Sequence, residues 1–241
     1  YFDFIRADTQ DEAAAMIRSL YKKEAAATGV DQVQILTPFR GRGEASSNSL
    51  NEAIREEINP PQPDHPEITF GGQMFRLYDK VMQTKNNYEL GLYDKNGNLI
   101  TMGIFNGETG RICKIASGTV TVDFDGRFAN YPLETLHELE LAYASTVHKA
   151  QGSECDTIIM PLLVAHSILL TRNLLNTAIT RAKRRVLLVG QKKALYIAIH
   201  TNRMGKRKTL LAERMRQLYQ GMTEKQPPDA AAMKSDVKRA S

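Results

Sequence analysis

With 241 residues, 42% of them hydrophobic and 24% charged, the chain is long enough to bury the core of one or two domains, and its balance excludes a disordered, collagenous or disulfide-built protein. A formal net charge of +5 leans toward a polyanionic partner without naming one. Cys113 and Cys155 have no metal-ligand spacing and form no disulfide framework, which fits a reducing compartment, and no stretch is apolar enough to span a membrane.

The first residues, Tyr1-Phe2-Asp3-Phe4, carry neither an initiator methionine nor a signal-peptide layout and read as the inside of a longer protein. Residues 2–5 form a short strand, and Thr9-Gln10-Asp11-Glu12 has the layout of a capping box opening a helix to about Ala27, with Ala13, Met16, Ile17 and Leu20 on its buried face. Residues 33–36 are the next strand, ending in Thr37-Pro38 and a glycine-broken basic loop, Phe39-Arg40-Gly41-Arg42-Gly43. Ser49 with Glu52 offers a second capping box, and Leu50, Ile54 and Ile58 keep helical spacing until Pro60-Pro61 stops them. Strand, helix, strand, helix predicts an α/β layer on a parallel sheet.

From Gly71 the texture changes. Residues 75–84 read as one strand, and Asn96-Gly97, Asn106-Gly107 and Asp125-Gly126 are three hairpin signals. Val120, Val122 and Phe124 alternate with Thr121 and Asp123, as a strand with one buried face must. This predicts a small all-β, SH3-like insert over 71–138, with the first sheet resuming at Leu139. An apolar run to Ala144 then enters the polar stretch Ser145 to Glu154, followed by a buried strand at 158–163. A helix over 171–183 gathers Leu174, Leu175, Ala178, Ile179 and Ala182 on one face. Residues 185–190 form the last strand and Lys192–His200 a helix. Beyond them come a basic loop at 203–208, a closing helix through Leu211, Met215 and Leu218, and a tail from Thr223 of disordered composition.

Thr146-Val147-His148-Lys149-Ala150-Gln151-Gly152-Ser153-Glu154 resembles motif V of superfamily 1 helicases, and Asn176-Thr177-Ala178-Ile179-Thr180-Arg181-Ala182-Lys183 resembles their motif VI. With Asp79-Lys80-Val81-Met82-Gln83 and Asn106-Gly107-Glu108-Thr109-Gly110 ahead of them, residues 1–220 are most similar to the C-terminal half of the RecD-like branch. Asn176 stands where the family has tyrosine, and Cys155 where it has an aromatic residue. The resemblance implies a RecA-like, parallel-sheet domain of the P-loop helicases, without a P-loop of its own, at 1–70 and 139–222, interrupted by the SH3-like insert at 71–138 and followed by a disordered tail at 223–241.

The resemblance also implies roles. Arg181 is the arginine finger on the γ-phosphate of ATP; Arg40, in an aromatic-arginine pair like that of motif IV, touches the same phosphate, and Phe39 lies against the base. Gln151, Gly152 and Glu154 contact the nucleotide, the carboxylate accepting from ribose hydroxyls, while Thr146, His148, Asn86 and Asn87 contact single-stranded DNA. The chain has no GxxxxGK[ST] run and no acidic pair closing an apolar strand. ATP and Mg²⁺ are therefore expected to be held with an N-terminal RecA-like domain, and the fragment alone is expected to be inactive. The implied activity is 5′ to 3′ DNA unwinding in recombination and repair, in the bacterial cytoplasm at the nucleoid, with subunits of a helicase-nuclease complex as further partners. Two other readings remain open from the residues: an RNA helicase of the same superfamily, and a non-catalytic module that binds nucleic acid or protein through the β insert.

Overall fold

The computed structural model describes residues 1–150, 154–202, 213–216 and 219. The chain divides into two units, Tyr1–Asn202 and Arg203–Ser241. Of the second, residues 213–216 are helical and exposed; the expected basic loop at 203–208, Leu211, Leu218 and the tail from Thr223 lie outside the described residues.

The first unit opens with β1 (Phe2–Arg6), α1 (Gln10–Thr28), β2 (Val33–Thr37) and α2 (Ser47–Ile58). Thr9 caps α1, its hydroxyl accepting from Glu12 N at 3.1 Å while Glu12 Oε2 accepts from Asp8 N at 2.7 Å. The start of α2 differs from expectation: Ser46, not Ser49, is the cap, and it accepts from Ser49 N at 3.4 Å. A serine three residues before another polar residue occurs twice here, and only the chain's approach direction decides between them.

After the insert come β12 (Ala144–Thr146), β13 (Cys155–Leu162), α3 (Arg172–Ile179), β14 (Ala182–Gly190) and α4 (Lys192–His200). The five strands β1-β14-β13-β2-β12 make a wholly parallel sheet. Successive strand residues face opposite ways, and both faces are covered, which is why the central runs, residues 158–162 of β13 and 186–189 of β14, are apolar and buried. Ile35, Ile159, Leu187 and Val189 meet Ile17 and Tyr21 of α1 and Leu50 and Ile54 of α2. Leu36, Ile158, Met160 and Leu188 meet Leu174 and Ala178 of α3 and Ala194 and Ala198 of α4. The RecA-like α/β expectation holds.

Between α2 and β12 lie β3 (Glu67–Phe70) and β4 (Gln73–Arg76), paired with each other, then β5 (Lys80–Gln83), β6 (Asn87–Tyr93), β7 (Leu99–Ile104), β8 (Thr109–Ala116), β9 (Thr119–Asp123), β10 (Phe128–Pro132) and β11 (Leu139–Leu141). The last seven form an antiparallel sheet in the order β11-β5-β8-β9-β10-β6-β7, the expected all-β insert. The single strand read over 75–84 is two, because the backbone turns at Tyr78 with φ 71°. Asn96-Gly97 and Asp125-Gly126 do close hairpins, but Asn106-Gly107 does not: β7 pairs only with β6, and β8 with β5 and β9. Leu139–Leu141 belongs to the antiparallel sheet, on β5, and the chain returns to the parallel sheet only at Ala144.

The two layers share one core. Phe75, Val81, Leu92, Ile112, Val120 and Phe124 of the insert are buried in the same cluster as Ile17, Tyr21 and Leu50. Polar ties cross the joint: Lys80 Nζ donates to the carbonyls of Val30 (3.2 Å) and Val33 (3.0 Å), and Arg111 pairs with Asp31 at 3.0 Å. Asp79, fully buried, accepts from Asn59 Nδ2, Arg76 N and the Tyr143 hydroxyl.

Candidate functional site at the two ends of the parallel strands

Because every strand of the first sheet runs the same way, the segments that follow strands gather at one end and those that precede strands gather at the other. Thr37 and Thr146 are register partners at the carboxyl ends of β2 and β12. The turns leaving them carry Phe39 and Arg40 on one side and Val147, His148 and Lys149 on the other. His148 is exposed and Thr146 half-buried; the Thr146 carbonyl accepts from Lys149 N and Ala150 N, which closes the turn tightly behind the strand.

At this carboxyl end Glu140, on β11, binds two cations at once. Its Oε1 pairs with Arg40 and its Oε2 accepts from Lys149 Nζ at 2.6 Å. Arg40, Glu140, Thr146 and Lys149 line one cavity of about 340 Å³ with Asn48 and Ser47 of α2. Neither Glu140 nor Lys149 was singled out as a site residue from the sequence; Glu140 lies 100 positions from Arg40, beyond any local pattern. Phe39, expected against a base, is half-buried with its ring edge-on to His166 at 5.1 Å and Arg42 over its face at 5.8 Å. His166 is buried, its two ring nitrogens lack hydrogen-bond partners among the described residues, and desolvation holds its pKa below the usual 6.5.

Arg181 sits at the other end. The helix expected over 171–183 stops at Ile179, capped by Thr180, and Ala182 already belongs to β14. Arg181 is therefore in the turn between them rather than on a helix. Its backbone is still pinned on both sides: its N donates to Ala178 O at 3.2 Å and its carbonyl accepts from Cys155 N at 3.0 Å. That second bond brings it to the start of β13, one residue from Glu154, which is exposed. The guanidinium Nε of Arg181 is shielded from solvent, with no hydrogen-bond partner among the described residues. Burial raises the pKa of the neighbouring Cys155 thiol, so it is a neutral packing group there. Gln151 and Gly152 lie outside the described residues.

Register measures the separation. Thr157 pairs with Val33 and Ile159 with Ile35, so Thr37 is level with Pro161, six residues beyond Cys155. At about 3.3 Å per residue that is roughly 20 Å along the strands. Arg40 thus follows a strand at one end of the sheet, and Arg181 precedes one at the other.

Asn86 precedes β6, and Asn87 opens it. Asn87 is committed inside the fold: its Nδ2 donates to Glu138 Oε2 at 2.9 Å and its Oδ1 accepts from Glu89 N and Leu90 N. Asn86 is exposed, donating to the Tyr88 hydroxyl at 3.1 Å and accepting from Asn106 N at 2.9 Å. Among the described residues no three His, Cys, Asp or Glu side chains gather where a metal ion could be held, and no helix is long and apolar enough to cross a membrane.

Residues 50–124 match the SH3 domain of ATP-dependent RecD-like DNA helicases, and residues 141–189 match the UvrD-like helicase C-terminal domain. Together with the parallel sheet and the motif order, these define the chain as a helicase C-terminal domain carrying an SH3 insert. It is 37% identical over 188 residues to the ATP-dependent RecD2 DNA helicase of Deinococcus radiodurans, covering 78% of this chain and 24% of that protein. It is 33% identical over 196 residues to the RecBCD enzyme subunit RecD of Mycolicibacterium smegmatis, covering 81% of this chain and 31% of that protein. The chain belongs to the RecD-like helicases. It spans less than a third of the length of these two relatives. A crystal structure of Bacteroides Pif1 helicase with ADP-AlF3 and ssDNA is 15% identical, covering 88% of this chain and 51% of that one, with a TM-score of 0.42, too slight a likeness to carry an argument.

Proposed function

We propose that the chain is the second motor domain of an ATP-dependent 5′ to 3′ DNA helicase, and that the two ends of its parallel strands divide the labour. The amino end, with Arg181 and Glu154, faces ATP held against a P-loop domain that also supplies the Mg²⁺ ligands. The carboxyl end, with Thr146, His148, Lys149 and Arg40, faces the backbone of single-stranded DNA. The observation that carries this is that Arg40 follows Thr37 while Arg181 is bonded to Cys155, levels roughly 20 Å apart by strand rise, together with the buried Nε of Arg181, which has no partner among the described residues. A guanidinium whose backbone is fixed by Ala178 and Cys155 and whose Nε has no acceptor among the described residues is suited to an anion from outside the domain. At the other end hydroxyl, imidazole, ammonium and guanidinium groups suit phosphates, which fix position without reading sequence.

ATP supplies the free energy when bound; this domain's part is to bring a cation to the γ-phosphate as the cleft closes and to withdraw it afterwards. The likeness to proteins described as DNA helicases favours DNA over RNA, and the sequence itself leaves that choice open. The test is Arg181→Ala in the intact protein. DNA-stimulated ATP turnover is expected to fall at least ~10³-fold, the low end for an arginine finger, with nucleotide-free DNA affinity unchanged. Near-normal turnover would make Arg181 a surface residue.

A further inference from the structure

The carboxyl-end cluster contains a group that none of the roles above uses. Glu140 presents one carboxylate oxygen to Arg40 and the other to Lys149, and all three line the cavity beside Thr146. Arg40 is 59% exposed, whereas Glu140 and Lys149 are about a quarter exposed. Glu140 itself is fixed by its backbone, paired in the ladder with Met82 at the last strand of the insert.

A carboxylate and a phosphodiester carry the same unit charge, and each offers two anionic oxygens to cationic donors. We propose that Glu140 is an internal stand-in for a DNA phosphate: it occupies Arg40 and Lys149 in the unloaded protein and is displaced when a phosphodiester enters the cavity. This rests on the reading above that the carboxyl end binds the DNA backbone, and adds a competitor to it. Three observations favour a competitor over a simple brace. Both cations converge on the one carboxylate although they leave different strands. The cavity beside them is open and polar, with Asn48, Ser47 and Thr146 on its wall. The cluster retains one net positive charge, so an incoming phosphate still meets an attractive site. The competitor belongs to the insert's sheet while the cations follow strands of the parallel sheet, so a small shift between layers changes how strongly the DNA is gripped.

The experiment measures binding of a fluorescent oligo-dT by the intact protein without nucleotide, for Glu140→Gln, for Arg40→Gln/Lys149→Gln, and for the triple variant. Glutamine keeps the shape of Glu140 and removes its charge, and the unfolding midpoint of each variant confirms that it is folded. The expected result is that Glu140→Gln tightens binding about fivefold, the scale of a partly exposed ion pair. In the Arg40→Gln/Lys149→Gln background the same change is expected to do nothing. A gain that persists in that background is a general charge effect and overturns the proposal. Unchanged or weaker binding by Glu140→Gln makes Glu140 a brace and overturns it too. If Arg40→Gln/Lys149→Gln leaves affinity unchanged, the carboxyl end is not the DNA site, and the underlying reading fails with it.

Discussion

His166 shows how a single residue can carry a measurable signature of the site without touching ligand. It lies just past β13, buried against the edge of Phe39, with both ring nitrogens unpartnered among the described residues. Its folded-state pKa is below the 6.5 of a free imidazole because burial disfavours the charged ring. Below that value the unfolded chain binds the proton first, so stability falls as pH drops through the window between the two pKa values. His166→Leu removes this contribution. Between about pH 7 and about pH 5 the wild type is expected to lose more stability than His166→Leu, by up to ~1.4 kcal/mol for each pH unit of that window. Urea midpoints at the two pH values read it; parallel losses in both proteins would mean the imidazole finds a partner. None of this was legible in the sequence, where His166 is one polar residue in an apolar run. Arg40 was legible as a residue following a strand. Arg181 was not legible as one preceding a strand, because Ala182 and Lys183 continued the helical spacing of Ala178 and Ile179 and hid the break at Thr180.

Among the elements, α2 does the most to position the carboxyl end, through Asn51. Its Nδ2 donates to the carbonyls of Leu141 (3.0 Å) and Ala144 (2.8 Å), and its Oδ1 accepts from Ala144 N at 2.7 Å. These bonds hold the two residues over which the chain leaves the antiparallel sheet for β12, and thereby fix Thr146 and Lys149 a few residues on. Asn51→Ala strips partners from three buried backbone groups and is expected to cost about 2–4 kcal/mol, a sum of desolvation penalties of about 1–3 each with partial relaxation. Urea unfolding measures it; a loss under about 0.5 kcal/mol, the size of an ordinary surface change, would show that water replaces the amide. Helices and buried strands were legible from periodicity and caps. The crossover was not: Leu141 to Ala144 is apolar without interruption, and only the pairing partners, β5 and then β2, reveal where one sheet stops and the other starts. The Asn106-Gly107 turn was misread for a related reason, since a turn signal states that the chain reverses and not which strand it will join.

At the scale of the whole molecule, the SH3 insert is built into the motor domain's core and is not a tethered module. Leu92, Ile112, Val120, Val122 and Phe124 are buried with residues of α1 and α2, so excising 91–127 would open that core along with any DNA contact the insert makes. Point substitutions at the two strand ends are therefore the sound way to separate the functions of the domain. The proposed function rests on that division: cations at opposite ends of one sheet, one set proposed for ATP and one for the DNA backbone, so that closing a cleft at the amino end would be felt as a change of grip at the carboxyl end. The most direct test is steady-state ATP turnover by the intact Arg40→Ala protein, titrated with single-stranded DNA. Turnover at saturating DNA is expected to stay within about twofold of wild type while the half-saturating DNA concentration rises, the pattern of a lost binding contact rather than a lost transition-state contact. A fall of ~10³ in saturated turnover with the half-saturating concentration unchanged would make Arg40 a second arginine finger and contradict the account.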